Sequence, residues 1–209
     1  MEKLTLVSPS MDWAKEILAY KEAFGGEHLY GGSRLQEIDD LSDWLQHLER
    51  AGSASSCEEG RSPSSTFLCI RERDQAMVGI CNIRHDLNQD YLLTIAGHIG
   101  YSIHPAERRK GYATEQLRLA LLEAKKLGID RVLVTAADWN IGSQKTILAN
   151  GGVLENTYYD KVDDELMLAC LREGRRDRAA ARRGRRAGCV VAVARRRRAD
   201  RRAHRALRD

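Results

Sequence analysis

The chain has 209 residues, 43% hydrophobic and 31% charged, which suffices for one domain with a sizeable core and excludes collagen-like and wholly disordered proteins. Its apolar runs are far shorter than the roughly 18 residues of a membrane span, and its start lacks a secretory signal core, so we expect a cytoplasmic location and no membrane partner. The formal net charge of +4 combines two different segments: residues 172–209 contain 16 Arg against 4 acidic residues, and residues 1–171 contain 18 Lys and Arg against 26 acidic residues. Five cysteines without a CxxC spacing disfavour a disulfide framework and a zinc site.

Hydrophobic periodicity and turn residues predict eleven elements in the order β-α-α-β-β-β-α-β-α-β-β. The first half gives a strand over 3–7, helices over 12–24 and 39–50, and strands over 66–72, 76–84 and 92–103. The second half gives a helix over 114–127, a strand over 131–136, a helix over 143–150, and a terminal hairpin over 153–159 and 165–171. Short connections predict antiparallel neighbours in the middle, and the long helix predicts a parallel return. The sequence therefore predicts an α+β fold with a mixed sheet flanked by helices.

The segment from His98 to Thr114 ends a strand, passes through a basic glycine turn and begins the most amphipathic helix. The first turn of a helix has unpaired backbone N–H groups and a partial positive charge, so it binds phosphate. Gly111 lacks the Cβ that would block close approach, and the cations at 108–110 add positive charge. These features indicate a pyrophosphate site; the alternative is a solvated basic turn. The motifs of P-loop and dinucleotide-binding proteins do not occur.

Three ordered motifs resemble the GNAT superfamily of N-acetyltransferases. The run from Arg108 to Ala113, Arg-Arg-Lys-Gly-Tyr-Ala, is similar to its Q/R-x-x-G-x-G/A signature. The apolar residue and proline at 103–105 precede it, and Asn-Ile-Gly-Ser at 140–143, a helix and Gly151 follow. The resemblance covers residues 66–160 well and is closest to a bacterial branch. It implies a GNAT-like acyl-CoA N-acyltransferase fold, with a mostly antiparallel sheet whose parallel fourth and fifth strands splay apart.

The resemblance also implies acetyl-CoA as co-substrate, held in the wedge between those two strands, and no metal ion. The backbone near Ile103 would pair with the pantetheine arm beside a β-bulge. Asn140 would bind that arm through its amide or serve only as a turn residue, and Ser143 would assist or cap the helix. The implied cofactor-binding residues are Ile103, Arg108, Arg109, Lys110, Gly111, Tyr112, Ala113, Thr114, Asn140 and Ser143.

The implied reaction is direct attack of a primary amine, from a small molecule or a protein, on the thioester. His98 is the candidate catalytic base, because a histidine pKa near 6.5 suits proton removal. The alternative is an ordinary strand histidine satisfied by its neighbours. Ile147 stands where many family members have an acid tyrosine, so either Tyr158 or Tyr159 donates the proton or the thiolate leaves unassisted.

Residues 1–171 are predicted to form the acetyltransferase domain, and residues 172–209 an arginine-rich, low-complexity tail. Three interpretations of the tail stay open: a nucleic-acid-binding segment, a disordered arm, and an off-frame reading of GC-rich DNA. The alternative functions are therefore nucleic-acid binding through the tail and CoA binding without catalysis. The acceptor amine is not predicted, and a homodimer stays open.

Overall fold

The computed structural model describes residues 2–173, and its helices and strands follow the predicted order. The helices are α1 (Ala14–Ala23), α2 (Leu41–Ala51), α3 (Tyr112–Lys126) and α4 (Ile141–Ala149). The strands are β1 (Leu4–Val7), β2 (Ser64–Arg71), β3 (Ala76–Arg84), β4 (Ile99–Ile103), β5 (Arg131–Ala137), β6 (Val153–Asp160) and β7 (Glu165–Glu173). No helix among the described residues is long and apolar enough to cross a membrane.

The strands form two antiparallel sheets, ordered β1-β2-β3-β4 and β5-β7-β6. The predicted terminal hairpin is confirmed, and β7 lies between β6 and β5 rather than at an edge. The last pairs join Val132 to Arg172 and Arg131 to Glu173, so β7 extends two residues into the segment that composition assigned to the tail. The remainder of that segment, with the three interpretations of it, lies outside the described residues.

The predicted strand over 92–103 is wrong in its first half, where Leu92–Ala96 forms a π-helical turn. Gly97 closes this turn with a φ of 62°, and its N–H donates to the Leu92 carbonyl at 2.8 Å. The Thr135 hydroxyl, from β5, donates to the carbonyl of Ile95 at 2.5 Å. A tertiary contact and a glycine in the left-handed region therefore override the local apolar pattern.

Helices cover both faces of the first sheet, as the sequence predicted. Cys81 and Ile83 of β3 pack with α3, where Leu117 and Ala120 are buried. Ile80 points to the opposite face, because strand side chains alternate, and packs with α1 and α2. The residues that fill that second core are Ile17, Tyr20, Phe24, Leu29, Leu35, Trp44, Leu68, Ile70 and Met77. The open edge of β4 is held between these two helical layers.

The two sheets touch at one point and then separate. The His98 N–H donates to the Leu133 carbonyl at 2.8 Å, and His98 Nδ1 accepts from the Leu133 N–H at 3.0 Å. Beyond this contact, no ladder joins β4 to β5 in the described chain. Since the joint lies near the start of both strands, their carboxyl ends diverge in the same direction and form the expected wedge.

Candidate active site

A cavity of about 980 Å³ opens at the wedge and reaches both faces of the first sheet. Its first part, the wedge end, lies between the carboxyl ends of β4 and β5 and the start of α3. The wedge end is lined by Ile103, Arg109, Gly111, Thr114, Ala137, Asn140 and Ser143. Its second part, the distal end, is lined by Tyr30, Asn82, Arg84, Tyr91 and Asp160. Of the ten predicted cofactor-binding residues, which were distributed over three motifs, nine line the cavity, and Lys110 does not.

One edge of β4 offers backbone groups to the wedge. The carbonyl of His98 accepts from the Arg84 N–H at 2.8 Å, and the His104 N–H donates to the Val78 carbonyl at 2.9 Å. Because the hydrogen-bonding groups of a strand alternate in direction, those of Tyr101 and Ile103 point away from β3, toward β5. They have no strand partner among residues 2–173. An extended ligand that carries amide groups can pair with this edge.

The expected β-bulge beside Ile103 is not present. The β3–β4 register runs without a shift from Gly79 opposite Ile103 to Ile83 opposite Ile99. Among the described strand pairs, the register shifts lie between Cys69 and Ile70 in β2 and in β6 instead. The edge of β4 is therefore freed by the divergence of β5 and not by a local irregularity.

The turn before α3 has the backbone shape of an anion site. Gly111 has a φ of 86° and Arg109 a φ of 63°, both in the left-handed region, and α3 begins directly after. The amides of the first helical turn have no partner four residues earlier, and a helix of 15 residues concentrates partial positive charge there. The Thr114 N–H also donates to the Gly111 carbonyl at 3.1 Å, so this amide is shared rather than free.

Two of the three cations expected to serve this turn are already neutralised by carboxylates. Arg108 Nη2 lies 2.6 Å from Glu27 Oε2, and the ion pair lowers the pKa of Glu27. Lys110 Nζ lies 2.8 Å from Glu107 Oε2. Arg109 has no ion pair among residues 2–173 and lines the cavity. Arg109 is therefore the cation available to a ligand, a distinction that spacing alone did not make.

Tyr112 takes part through its backbone. Its side chain is 5% exposed, and its hydroxyl bonds with Glu2 and accepts from Arg71 Nη1 at 3.1 Å. Ala113 packs beside it against the core between α3 and β1. Their side chains thus anchor the start of α3, while their N–H groups belong to its unpaired first turn.

Asn140 begins α4 and lines the wedge end. Its Oδ1 accepts from the Ser143 N–H at 3.0 Å, which caps the helix. The cap uses only the oxygen, so the Nδ2 group remains a donor. The sequence left open whether this residue caps a turn or binds a ligand, and this geometry permits both.

Tyr101 is a site residue that the sequence analysis missed. Its side chain crosses from β4 toward α4, where its hydroxyl lies 2.9 Å from Ser143 Oγ, and both residues line the cavity. Burial raises the pKa of Tyr101, so the phenol keeps its proton at physiological pH. The available signal was its alternation with Ile103, which places both side chains on the face that α3 and α4 cover.

His98 lies at the joint of the two sheets rather than in the cavity lining. Its ring is 9% exposed, and because Nδ1 accepts from the Leu133 N–H, the ring proton is on Nε2. Burial, with the nearby charge of Arg84, lowers the pKa of His98. The geometry favours the alternative interpretation, a strand histidine satisfied by its neighbours, over a base at the site.

Tyr158, Tyr159 and Ile147 also lie away from the wedge. Ile147 is 2% exposed and packs in the core with α3. The Tyr158 hydroxyl accepts from Asn156 Nδ2 at 3.1 Å, and the Tyr159 hydroxyl donates to Asp164. Neither tyrosine lines the cavity, so the expected substitute acids are not brought to it.

The distal end combines aromatic side chains with carboxylates. Tyr30 and Tyr91 are about half exposed, and burial, followed by the carboxylates of Glu165 and Asp163, raises the pKa of Tyr30. Trp139 Nε1 donates to Glu165 Oε1 at 2.6 Å. The carboxylates and aromatic rings around Tyr30 therefore suit an approaching ammonium group.

The sequence model of the acetyltransferase (GNAT) domain matches residues 11–153. The ribosomal L7/L12 alpha-N-protein acetyltransferase RimL, in complex with coenzyme A, is 14% identical with a TM-score of 0.59 over 82% of this chain and 94% of that chain. The ribosomal-protein-S5-alanine acetyltransferase from Vibrio fischeri is 14% identical, with a TM-score of 0.59 over 83% and 94%. The microcin C7 self-immunity acetyltransferase MccE, in complex with acetyl-CoA and AMP, is 16% identical, with a TM-score of 0.56 over 83% and 93%. These likenesses establish the fold, and no curated protein matches the sequence.

Proposed function

The chain belongs to the acetyltransferase (GNAT) domain family, and from this premise we propose that it transfers the acetyl group of acetyl-CoA to a primary amine by direct attack. Acetyl-CoA-dependent transfer is the activity that the sequence resemblance implied. The observation that carries the residue assignments is the free edge of β4 beside the unpaired first turn of α3. These two features offer donors for an extended amide chain and for a diphosphate, which are two consecutive parts of coenzyme A.

The residues at the wedge end fit this ligand. The Tyr101 carbonyl and the backbone groups of Ile103 would hold its pantetheine arm, and Asn140 Nδ2 would donate to the same arm. The amides that follow Gly111, with the Arg109 guanidinium, would hold the pyrophosphate. When bound, acetyl-CoA supplies an activated thioester. The chain positions this thioester and supplies positive charge to the pyrophosphate.

The Tyr101 N–H points to the open edge of β4 and is the donor that we assign to the reacting carbonyl oxygen. A fixed backbone donor stabilises negative charge that develops on such an oxygen, because it does not have to reorient during the reaction. A new carbon–nitrogen bond forms as the carbon–sulfur bond breaks. Tyr101 thus serves through its backbone at one side of the reacting group.

The Tyr101 hydroxyl is the proton donor that we assign to the leaving sulfur. It is protonated, lines the cavity, and contacts Ser143 Oγ at 2.9 Å, which connects it to a second proton-carrying group. After donation, Ser143 can relay a proton from water in the cavity to the Tyr101 phenolate, so that the proton lost by the amine replaces the one given to sulfur. The attacking amine must be neutral, and we assign its surplus proton to water in the open cavity, since His98 Nδ1 is occupied.

The test is release of the free CoA thiol by the full chain, followed with a thiol reagent across a panel of primary amines. Tyr101→Phe removes the donor, and Tyr159→Phe, an exposed tyrosine on β6, is the matched control. We expect a lowered kcat in the first variant and wild-type kinetics in the second. If coenzyme A binds but no amine releases thiol, the proposal of amine transfer fails. If both variants behave alike, the assignment of Tyr101 fails.

A further inference from the structure

Arg84 is a cation of the distal end that the transfer mechanism does not use. It is the last residue of β3, and because strand side chains alternate, it shares a face with Asn82 and Ile80. Ile80 packs with α1 and α2, on the side opposite α3. Arg84 therefore points to the face away from the wedge end, and it lines the cavity together with Asn82.

The charge of Arg84 has no counter-ion in the described structure. Its Nη1 donates to the carbonyls of Ala96 and Gly97 at 3.3 and 2.9 Å. Among the residues whose side chains the structure describes, no carboxylate forms an ion pair with the guanidinium, and burial lowers the pKa of Arg84. By contrast, the buried Arg71 is paired with Asp74 and Glu107 at 2.8 and 3.0 Å.

A half-buried, unpaired guanidinium is costly unless something else uses its charge. The two carbonyl acceptors occupy only Nη1 of the guanidinium, and they hold Arg84 against the π-helical turn. They leave the Nε and Nη2 donors without a described partner. An arginine presents those donors in a planar pair that matches a carboxylate in two parallel hydrogen bonds.

The distance between Arg84 and Tyr101, whose N–H is assigned to the reacting carbonyl oxygen, limits the size of the ligand. Arg84 is bonded to His98 across the β3–β4 pair, and Tyr101 lies three residues farther along β4. At a strand rise of about 3.3 Å per residue, this separation is about 10 Å along the sheet. The guanidinium is held at the carbonyls of Ala96 and Gly97, which precede His98 in the chain, so it does not shorten this separation. An anion bound there and the reacting amine are therefore about 10 Å apart and can belong to one small molecule.

We propose that Arg84 anchors a carboxylate of the acceptor, so that the substrate class is a small amine that also carries a carboxylate, as amino acids do. This inference rests on the proposed function, because it extends the same cavity. The carboxylates and aromatic rings around Tyr30 attract the ammonium group as the ligand enters, and the Arg84 guanidinium binds the carboxylate. Asp160, Asp163 and Arg84 each act electrostatically on Tyr91, so charges of both signs surround this aromatic ring.

The test compares pairs of amines that differ only in the carboxylate. L-alanine against L-alaninamide tests an α-carboxylate, and L-isoglutamine against L-glutaminamide tests a side-chain carboxylate. Binding is measured by calorimetry on the full chain saturated with coenzyme A, so that no turnover is needed. The variants are Arg84→Gln and Arg84→Lys, and Arg118→Gln is the control, since Arg118 pairs with Glu115 on the surface of α3.

We expect wild type and Arg118→Gln to bind the acid of at least one pair about 10- to 100-fold more tightly than its amide, as a charge-assisted bidentate contact provides. Arg84→Gln should abolish the preference for the acid. Arg84→Lys should keep part of this preference and should have the Tm of the wild type. Coenzyme A affinity should be unchanged in each variant. The same acid preference in Arg84→Gln, or none in wild type, overturns the inference. Acid preference without acetyl transfer overturns the proposed function instead.

Discussion

Two substitutions of Gly111 separate the backbone conformation of the turn before α3 from the charge of that turn. Gly111 has a φ of 86°, so any L side chain there costs about 1–2 kcal/mol of stability. Gly111→Ala adds this strain alone. Gly111→Asp adds no more strain than alanine does, because aspartate tolerates the left-handed region better, and it adds a negative charge beside the diphosphate.

The charge effect can be estimated from Coulomb's law. Two unit charges about 4 Å apart near a protein surface repel by about 4 kcal/mol, and screening at this open turn reduces the figure to about 1–3 kcal/mol. At about 1.4 kcal/mol for each tenfold change, KM for acetyl-CoA should rise roughly tenfold to a hundredfold more in Gly111→Asp than in Gly111→Ala.

The assay is initial-rate kinetics with acetyl-CoA varied at a fixed amine concentration, with Tm measured for both variants. The Tm of Gly111→Asp should be at least that of Gly111→Ala, because aspartate tolerates the left-handed region better than alanine and is a favoured N-cap residue of α3, so a higher KM cannot be due to a loss of folding. Adding salt should narrow the KM difference, since the repulsion is screened. Equal KM values for the two variants would refute the placement of the diphosphate at this turn.

Three further predictions follow from the contacts at the wedge. Tyr101→Phe should lower kcat about 10- to 100-fold, at the low end for a general acid because a thiolate is a good leaving group, with little change in KM for acetyl-CoA. Asn140→Asp should keep the helix cap and raise KM for acetyl-CoA, whereas Asn140→Ala should in addition lose about 1 kcal/mol of stability in denaturant unfolding. His98→Ala should lose about 1–3 kcal/mol, because the Leu133 N–H is left without its acceptor, while the pH profile of kcat keeps its shape. The lowered pKa of His98 also means that the unfolded chain binds a proton more readily, so stability is lost as pH falls below about 6.5, and thermal scans should show a smaller acid-side loss in His98→Ala.

The sequence predicted what local patterns determine. The periodic helix from Tyr112 and the turn ending at Gly111 are set by neighbouring residues, so both were found with small shifts of their bounds. The π-helical turn at 92–96 was missed because its apolar, β-like residues are held by Thr135 and by the φ of Gly97. Contacts between distant parts of the chain cannot be derived from spacing.

The charged residues of the site show the same limit of prediction from sequence. The run at 108–110 indicated three available cations, yet Glu27, about eighty residues earlier, neutralises Arg108. Arg84 was overlooked for the converse reason, since nothing near it in sequence shows that its charge is unpaired. Whether a charged residue is available to a ligand depends on the partners that the fold places beside it.

The position of Tyr101 explains how Ile147 is tolerated where many relatives have an acid tyrosine. Ile147 is buried against α3, on the core side of α4, so a phenol at that place would need space that the packing does not leave. Tyr101 reaches α4 from β4 instead, and its bond to Ser143 places a hydroxyl over the wedge end. The phenol is thus supplied by β4, the strand whose backbone would bind the ligand. The proton donor and the ligand-binding edge therefore belong to the same strand. Exchanging the two residues, with Tyr101→Ile and Ile147→Tyr together, should therefore fail to restore kcat.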